Sequence, residues 1–132
     1  MAAVTFENRR DGCYLGESAA LNIINEEIVV ASGQGVLFPG TVIAKITASG
    51  KYAIHDTAAA DGSQLPANVV ILFNRTDATG ADVKAVATTK GPATINANML
   101  TYKAGMSGAA KIAARNALRA RGMGVLPQHA GE

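Results

Sequence analysis

The run Gly105-Met106-Ser107-Gly108 sets a serine between glycines, the setting in which a hydroxyl nucleophile is held out of a sharp strand-to-helix turn. Such a turn needs glycines two residues before and two after the serine, an apolar strand leading in, and a histidine to take the proton. Gly105 meets the first requirement, but position 109 is Ala109 and no apolar strand directly precedes Gly105. The histidines available are His55 and His129, and neither has an assignable acid. A serine just ahead of an amphipathic helix also does a simpler job, accepting a hydrogen bond from a free backbone N–H of the first turn. Ser107 is read as that cap. No catalytic residue is assigned, and the chain is expected not to be an enzyme.

The other reactive side chains disperse in the same way. His55-Asp56 would work as an acid–base pair only if both faced one substrate, and neighbours in a strand point to opposite faces. Two histidines and the single Cys13, each more than forty residues from the next, make no metal-ligand pattern, so neither a metal nor a cofactor is expected. Gly33-Gln34-Gly35 lacks the third glycine of a dinucleotide loop and the Gly-Lys-Ser/Thr ending of a phosphate loop. Lys51 lies near a turn, as the modified lysine of biotinyl and lipoyl carrier domains does, but Gly50 and Tyr52 do not match the carrier pattern. Lys111, Arg115 and Arg119 repeat every four residues and would suit phosphates. Nucleic-acid binders add aromatic stacking residues or further basic clusters, which are missing here. A solvated or subunit-facing surface is the better reading, and direct contact with nucleic acid is not expected.

The elements that must position these residues are mainly strands. β-Branched residues cluster at 28–30, 41–47 and 69–71, and turn residues punctuate them at the spacing of a small barrel or sandwich. Pro39-Gly40 supplies one turn and Ser49-Gly50 a hairpin. Val83 to Thr89 gives another strand, which Gly91-Pro92 breaks before Ala93-Thr94-Ile95. From residue 107 the period changes. Ala109, Ile112, Ala113, Asn116, Ala117 and Ala120 form a helical stripe over 107–121, with Gly122 placed to end the helix. The tail from Val125, with Pro127 and Gly131, is expected to fray, and residues 127–132 are set outside the domain. Residues 1–25 show no clean period. Their pattern fits an arm able to add a strand to a partner, or an edge strand of the same domain.

A length of 132 residues suits one domain with a single modest core. Aromatics are only 5% and tryptophan is absent, so large anchors are scarce and oligomerisation or a partner is expected to add stability. The net charge of +2 is too small to argue for nucleic acid, but it is unevenly spread. Residues 1–30 set Glu7, Asp11, Glu17, Glu26 and Glu27 against Arg9 and Arg10, a balance of −3. Residues 101–132 set Lys103, Lys111, Arg115, Arg119 and Arg121 against Glu132, a balance of +4. That asymmetry suits docking between copies or onto a larger charged surface. The lone Cys13 excludes an internal disulfide and fits a reducing compartment. No charged leader with an apolar core opens the chain, and no run of about 18 apolar residues occurs, so neither secretion by that route nor a membrane span is expected.

The order of these pieces resembles the phage head decoration proteins, small capsid-cementing proteins. The resemblance runs over about residues 13 to 126 and rests on Tyr14-Leu15-Gly16-Glu17-Ser18, the Ser32-Gly33-Gln34 turn, Gly40-Thr41-Val42, the Gly50-Lys51-Tyr52 turn, the Asp61-Gly62-Ser63-Gln64 loop, the Asp77-Ala78-Thr79-Gly80 turn and the alanine-rich helix ending near Arg121-Gly122. It implies a mainly β (α+β) fold: a small β-barrel or β-clip-like domain over 26–126, with one C-terminal helix and an extended, flexible N-terminal arm over 1–25. It further implies a homotrimer at local three-fold positions of the expanded head, with the major capsid protein as partner and the outer capsid surface as its place. Assembly would occur in the host cytoplasm. Capsid contacts are expected on the arm, with Val4, Phe6, Tyr14 and Leu15 as apolar anchors. The alternative of another class is a small trimeric β-protein of a phage tail or baseplate, with an assembly or adhesion role.

Overall fold

Two stretches, Val42-Ile43-Ala44 and Val69-Val70-Ile71-Leu72, are apolar at every position, and a strand of that kind must be covered on both faces. The computed structural model, which describes residues 14, 24–90 and 93–126, shows how. Both stretches are central strands of a closed five-stranded barrel made of β1 (Ile24–Val30), β3 (Val42–Lys45), β4 (Tyr52–Ile54), β5 (Val69–Leu72) and β7 (Val83–Lys90), in the order β1-β4-β3-β5-β7. All neighbouring pairs are antiparallel except β1 and β4, which run parallel where Val30 meets Tyr52. The long pairing of β1 with β7, from Ile24 opposite Lys90 to Val30 opposite Val83, closes the barrel.

Alternation then sorts the apolar residues into two cores. Ile43, Val70 and Leu72 point into the barrel, where they meet Ile28, Val30, Ala85 and Ala87. Val42, Ala44, Val69 and Ile71 point outward into a second cluster with Ile95, Ala114, Leu118, Met123 and Val125. This outer layer is built from β8 (Ala93–Asn96), α1 (Gly108–Ala120) and β9 (Met123–Leu126). Strands β8 and β9 pair in parallel, and α1 is the crossover that a parallel pair requires. A ribbon of β2 (Gly35–Leu37) and β6 (Thr76–Ala78) adds Leu37 and Ala78 to the barrel interior.

Local chemistry fixes the joints. In the turn Phe38-Pro39-Gly40-Thr41 the Thr41 N–H donates to the Phe38 carbonyl at 3.1 Å, and Gly40 takes a φ of 91° that a side chain would resist. Six residues, 46–51, join β3 to β4, and within them the Gly50 N–H donates to the Ile46 carbonyl at 2.9 Å. Ser107 caps α1, its Oγ accepting from the Ala110 N–H at 3.2 Å, and Gly122 follows the helix with a φ of 92°.

The barrel and the single C-terminal helix agree with the fold class expected from the sequence. Two local readings change. Val125, expected to begin a fraying tail, is buried in β9 beside Met123 because the strand pairs with β8 under the helix. Asp77 and Ala78, read as a turn, lie in β6. Tyr14, from the segment read as an arm, is completely buried in the outer cluster.

Candidate functional site

The side chains singled out for chemistry prove to be joints of the fold. Ser107 gives its oxygen to the helix cap. His55 is 1% exposed, and its Nδ1 donates to the Ser63 carbonyl at 2.7 Å, which fastens the loop between β4 and β5. Its Nε2 is buried with no hydrogen-bond partner, so His55 is not hydrogen-bonded to Ser107. Asp56, beyond the end of β4, is partly exposed. It accepts from the Ala58 N–H at 2.9 Å and pairs with Lys103 at 3.2 Å. The backbone N–H of Ala58, then the Lys103 ammonium, hold its carboxyl below the ordinary value. Two surface depressions flank this ion pair, of about 300 Å³ beside Gln34, Asp61 and Ser63 and about 250 Å³ beside Thr57, Gly105 and Met106.

The polar groups in the larger depression are already engaged. Asp61 accepts from the Ser63 N–H at 3.0 Å and from the Ser63 hydroxyl at 2.6 Å; these bonds, the hydroxyl first, lower its pKa. Gln34 Oε1 accepts from the Ile54 N–H at 3.0 Å, and the Gly33 N–H donates to the Ala78 carbonyl at 2.7 Å. The Gly33-Gln34-Gly35 run therefore ties the β2–β6 ribbon to the barrel. Among the described residues no cluster of three potential metal ligands forms. Lys51 is not an open hairpin tip, because its ammonium pairs with Asp82 at 2.5 Å.

The basic helix face also turns back on the molecule. Arg119 donates to the Val125 carbonyl and to Asn116 Oδ1, both at 2.9 Å. Arg121 donates to the Ala67 carbonyl at 2.7 Å and to the Thr89 carbonyl at 3.4 Å. Lys111 lies over the Tyr102 ring, 5.5 Å from its centre, and Arg115 donates to the Tyr102 hydroxyl at 3.4 Å. Arg119 and Arg121 thus staple the end of α1 to β9, to the turn before β5 and to β7, while Lys111 and Arg115 hold Tyr102. A four-residue repeat of positive charge carries no sign of that use, since the Val125 carbonyl and the Tyr102 ring come into reach only once the chain has folded back along the helix.

Of the expected anchors, Val4, Phe6 and Leu15 lie outside the described residues. Tyr14 is buried, so in this structure its ring is turned to the domain rather than to a partner. The exposed large apolar residues described are Val36, Phe38, Leu65 and Leu126. Val36 and Phe38 share the outer face of one extended segment, and the Arg75 guanidinium sits 5.8 Å from the Phe38 ring. Sequence reasoning missed this pair, because Val36-Leu37-Phe38 is apolar throughout and does not reveal which side faces out.

The described part thus offers a closed barrel in which the candidate polar side chains His55, Asp61, Gln34 and Ser107 bond to its own backbone, and no assembled catalytic constellation. No curated protein matches the chain. A family model does, the bacteriophage lambda head decoration protein D, over residues 4–123, which takes in the whole barrel and helix. By that match the chain belongs to the phage head decoration protein D family.

Proposed function

We propose that the protein decorates the expanded head of a phage as homotrimers at local three-fold positions, clamping neighbouring major capsid subunits against the pressure of packaged DNA. The observation that carries this reading is the family match over residues 4–123. The fold is consistent with it: cementing needs a stiff body with contact surfaces and no chemistry. A three-fold assembly would bury small-residue surface that a domain poor in aromatics leaves open. Three N-terminal arms, with Val4, Phe6 and Leu15 as apolar contacts, would turn weak strand additions into one avid attachment. Binding only the expanded shell stabilises that state by mass action. The protein would assemble in the host cytoplasm and end on the outer surface of the virion.

Co-sedimentation with expanded and unexpanded heads of the phage that encodes it tests the reading. Binding to expanded heads alone is expected. Equal binding to both forms would remove the link to expansion, and binding to neither would refute decoration.

A further inference from the structure

We propose that Tyr14 pins the N-terminal segment to the barrel and so sets the point from which residues 1–13 reach the capsid; this rests on the capsid-binding role given above to that segment. Tyr14 is held by three independent contacts. Its ring lies in the outer core with Ile95, Ala97, Leu100, Ala114 and Leu118. Its carbonyl accepts from the Asn96 N–H of β8 at 2.7 Å. Its hydroxyl bonds to Thr88 Oγ1 of β7, and the Thr88 hydroxyl donates onward to Asn25 Oδ1 at 2.8 Å. Thr88 has one proton and spends it on Asn25, so Tyr14 is the donor to Thr88. A buried phenol so satisfied, in a chain with few aromatics, is a specific docking point rather than loose filler.

The pin sets the geometry of attachment. Thirteen residues ahead of a fixed Tyr14 span at most about 45 Å. Without the pin the next described attachment to the barrel is Ile24, where β1 begins. Effective concentration falls as the three-halves power of segment length, so losing the pin should weaken each arm about twofold and three arms about tenfold.

Two insertions separate a pin from ordinary core packing and leave every core residue in place. A flexible Gly-Ser linker of about eight residues between Glu17 and Ser18 lengthens only the stretch behind Tyr14. The same linker between Arg10 and Asp11 lengthens the reach itself. The first should bind expanded heads within about twofold of the parent, and the second about five- to tenfold more weakly. Equal weakening by both would overturn the pin. A second readout needs no heads: hydrogen exchange at the Asn96 amide in the free protein. It should be slow in the parent and in Tyr14→Phe, and at least about tenfold faster in Tyr14→Ala. Asn96 exchange as fast in the parent as in Tyr14→Ala would overturn the proposal. If the parent binds no heads, the decoration reading fails and the pin is decided by the Asn96 exchange.

Discussion

At the scale of single residues, the molecule spends its polar and special-conformation residues on loops. Gly62 shows the tightest case. Its φ is 107°, and a Cβ there would lie 2.1 Å from Thr47 Oγ1 and 2.8 Å from the Thr47 backbone nitrogen. Gly62→Ala should therefore cost about 2–4 kcal/mol in chemical denaturation. Gly33 has a φ of 84° but open space around it, so Gly33→Ala should cost only about 1 kcal/mol. Asp56, Asp61, Asp77 and Asp82 are all held below the ordinary carboxylate value of 3.8 by hydrogen bonds from neighbouring N–H, hydroxyl or ammonium groups. The unfolded chain binds protons more readily at these sites than the folded one. Their contribution is thus complete above 3.8 and is lost as pH falls through the lower folded values. Unfolding midpoints followed from about pH 5 to about pH 2 should drop, and Asp61→Asn should flatten part of that drop.

At the scale of elements, legibility followed covering. Strands β3 and β5 were readable because both faces are buried, which leaves an unbroken apolar run between turn residues. The helix was readable from its period, Ser107 and Gly122. Strand β9 was not: Met123-Gly124-Val125-Leu126 is short, contains glycine and precedes Pro127, and only its pairing with β8 makes it a strand. The basic residues along and just after α1 read as a solvent face because their partners, the Tyr102 ring and hydroxyl and the Val125, Ala67 and Thr89 carbonyls, are brought to the helix only by the fold. Among the chemical candidates, the cap role of Ser107 was legible locally, whereas the fastening of loops by His55 and Gln34 depends on tertiary contacts. The helix should carry much of the outer core. Leu118→Ala, at a fully buried site, should cost about 2–5 kcal/mol, while Ser107→Ala should cost about 0.5–2 kcal/mol, both by denaturant melts.

At the scale of the whole molecule, a barrel with a covered outer face is a body for attachment, and the N-terminal segment is its proposed tether. The burial of Tyr14 was invisible in the sequence, because residues 1–25 carry no period to say which side chain faces the domain. That burial refines how the tether is removed. A truncation through residue 18 would also empty the Tyr14 site and confuse stability with binding. Deleting residues 1–13 keeps Tyr14 and should leave the melting temperature close to the parent's while head binding falls at least about tenfold. Undiminished binding by that truncation would take the capsid contacts off residues 1–13, Val4 and Phe6 included. The central claim, decoration, is tested most directly by an image reconstruction of heads saturated with the protein, with copies counted against the major capsid protein. Density at local three-fold positions, with a copy number close to that of the major capsid protein, is the predicted result. A few copies per particle, confined to the tail or its baseplate, would contradict it.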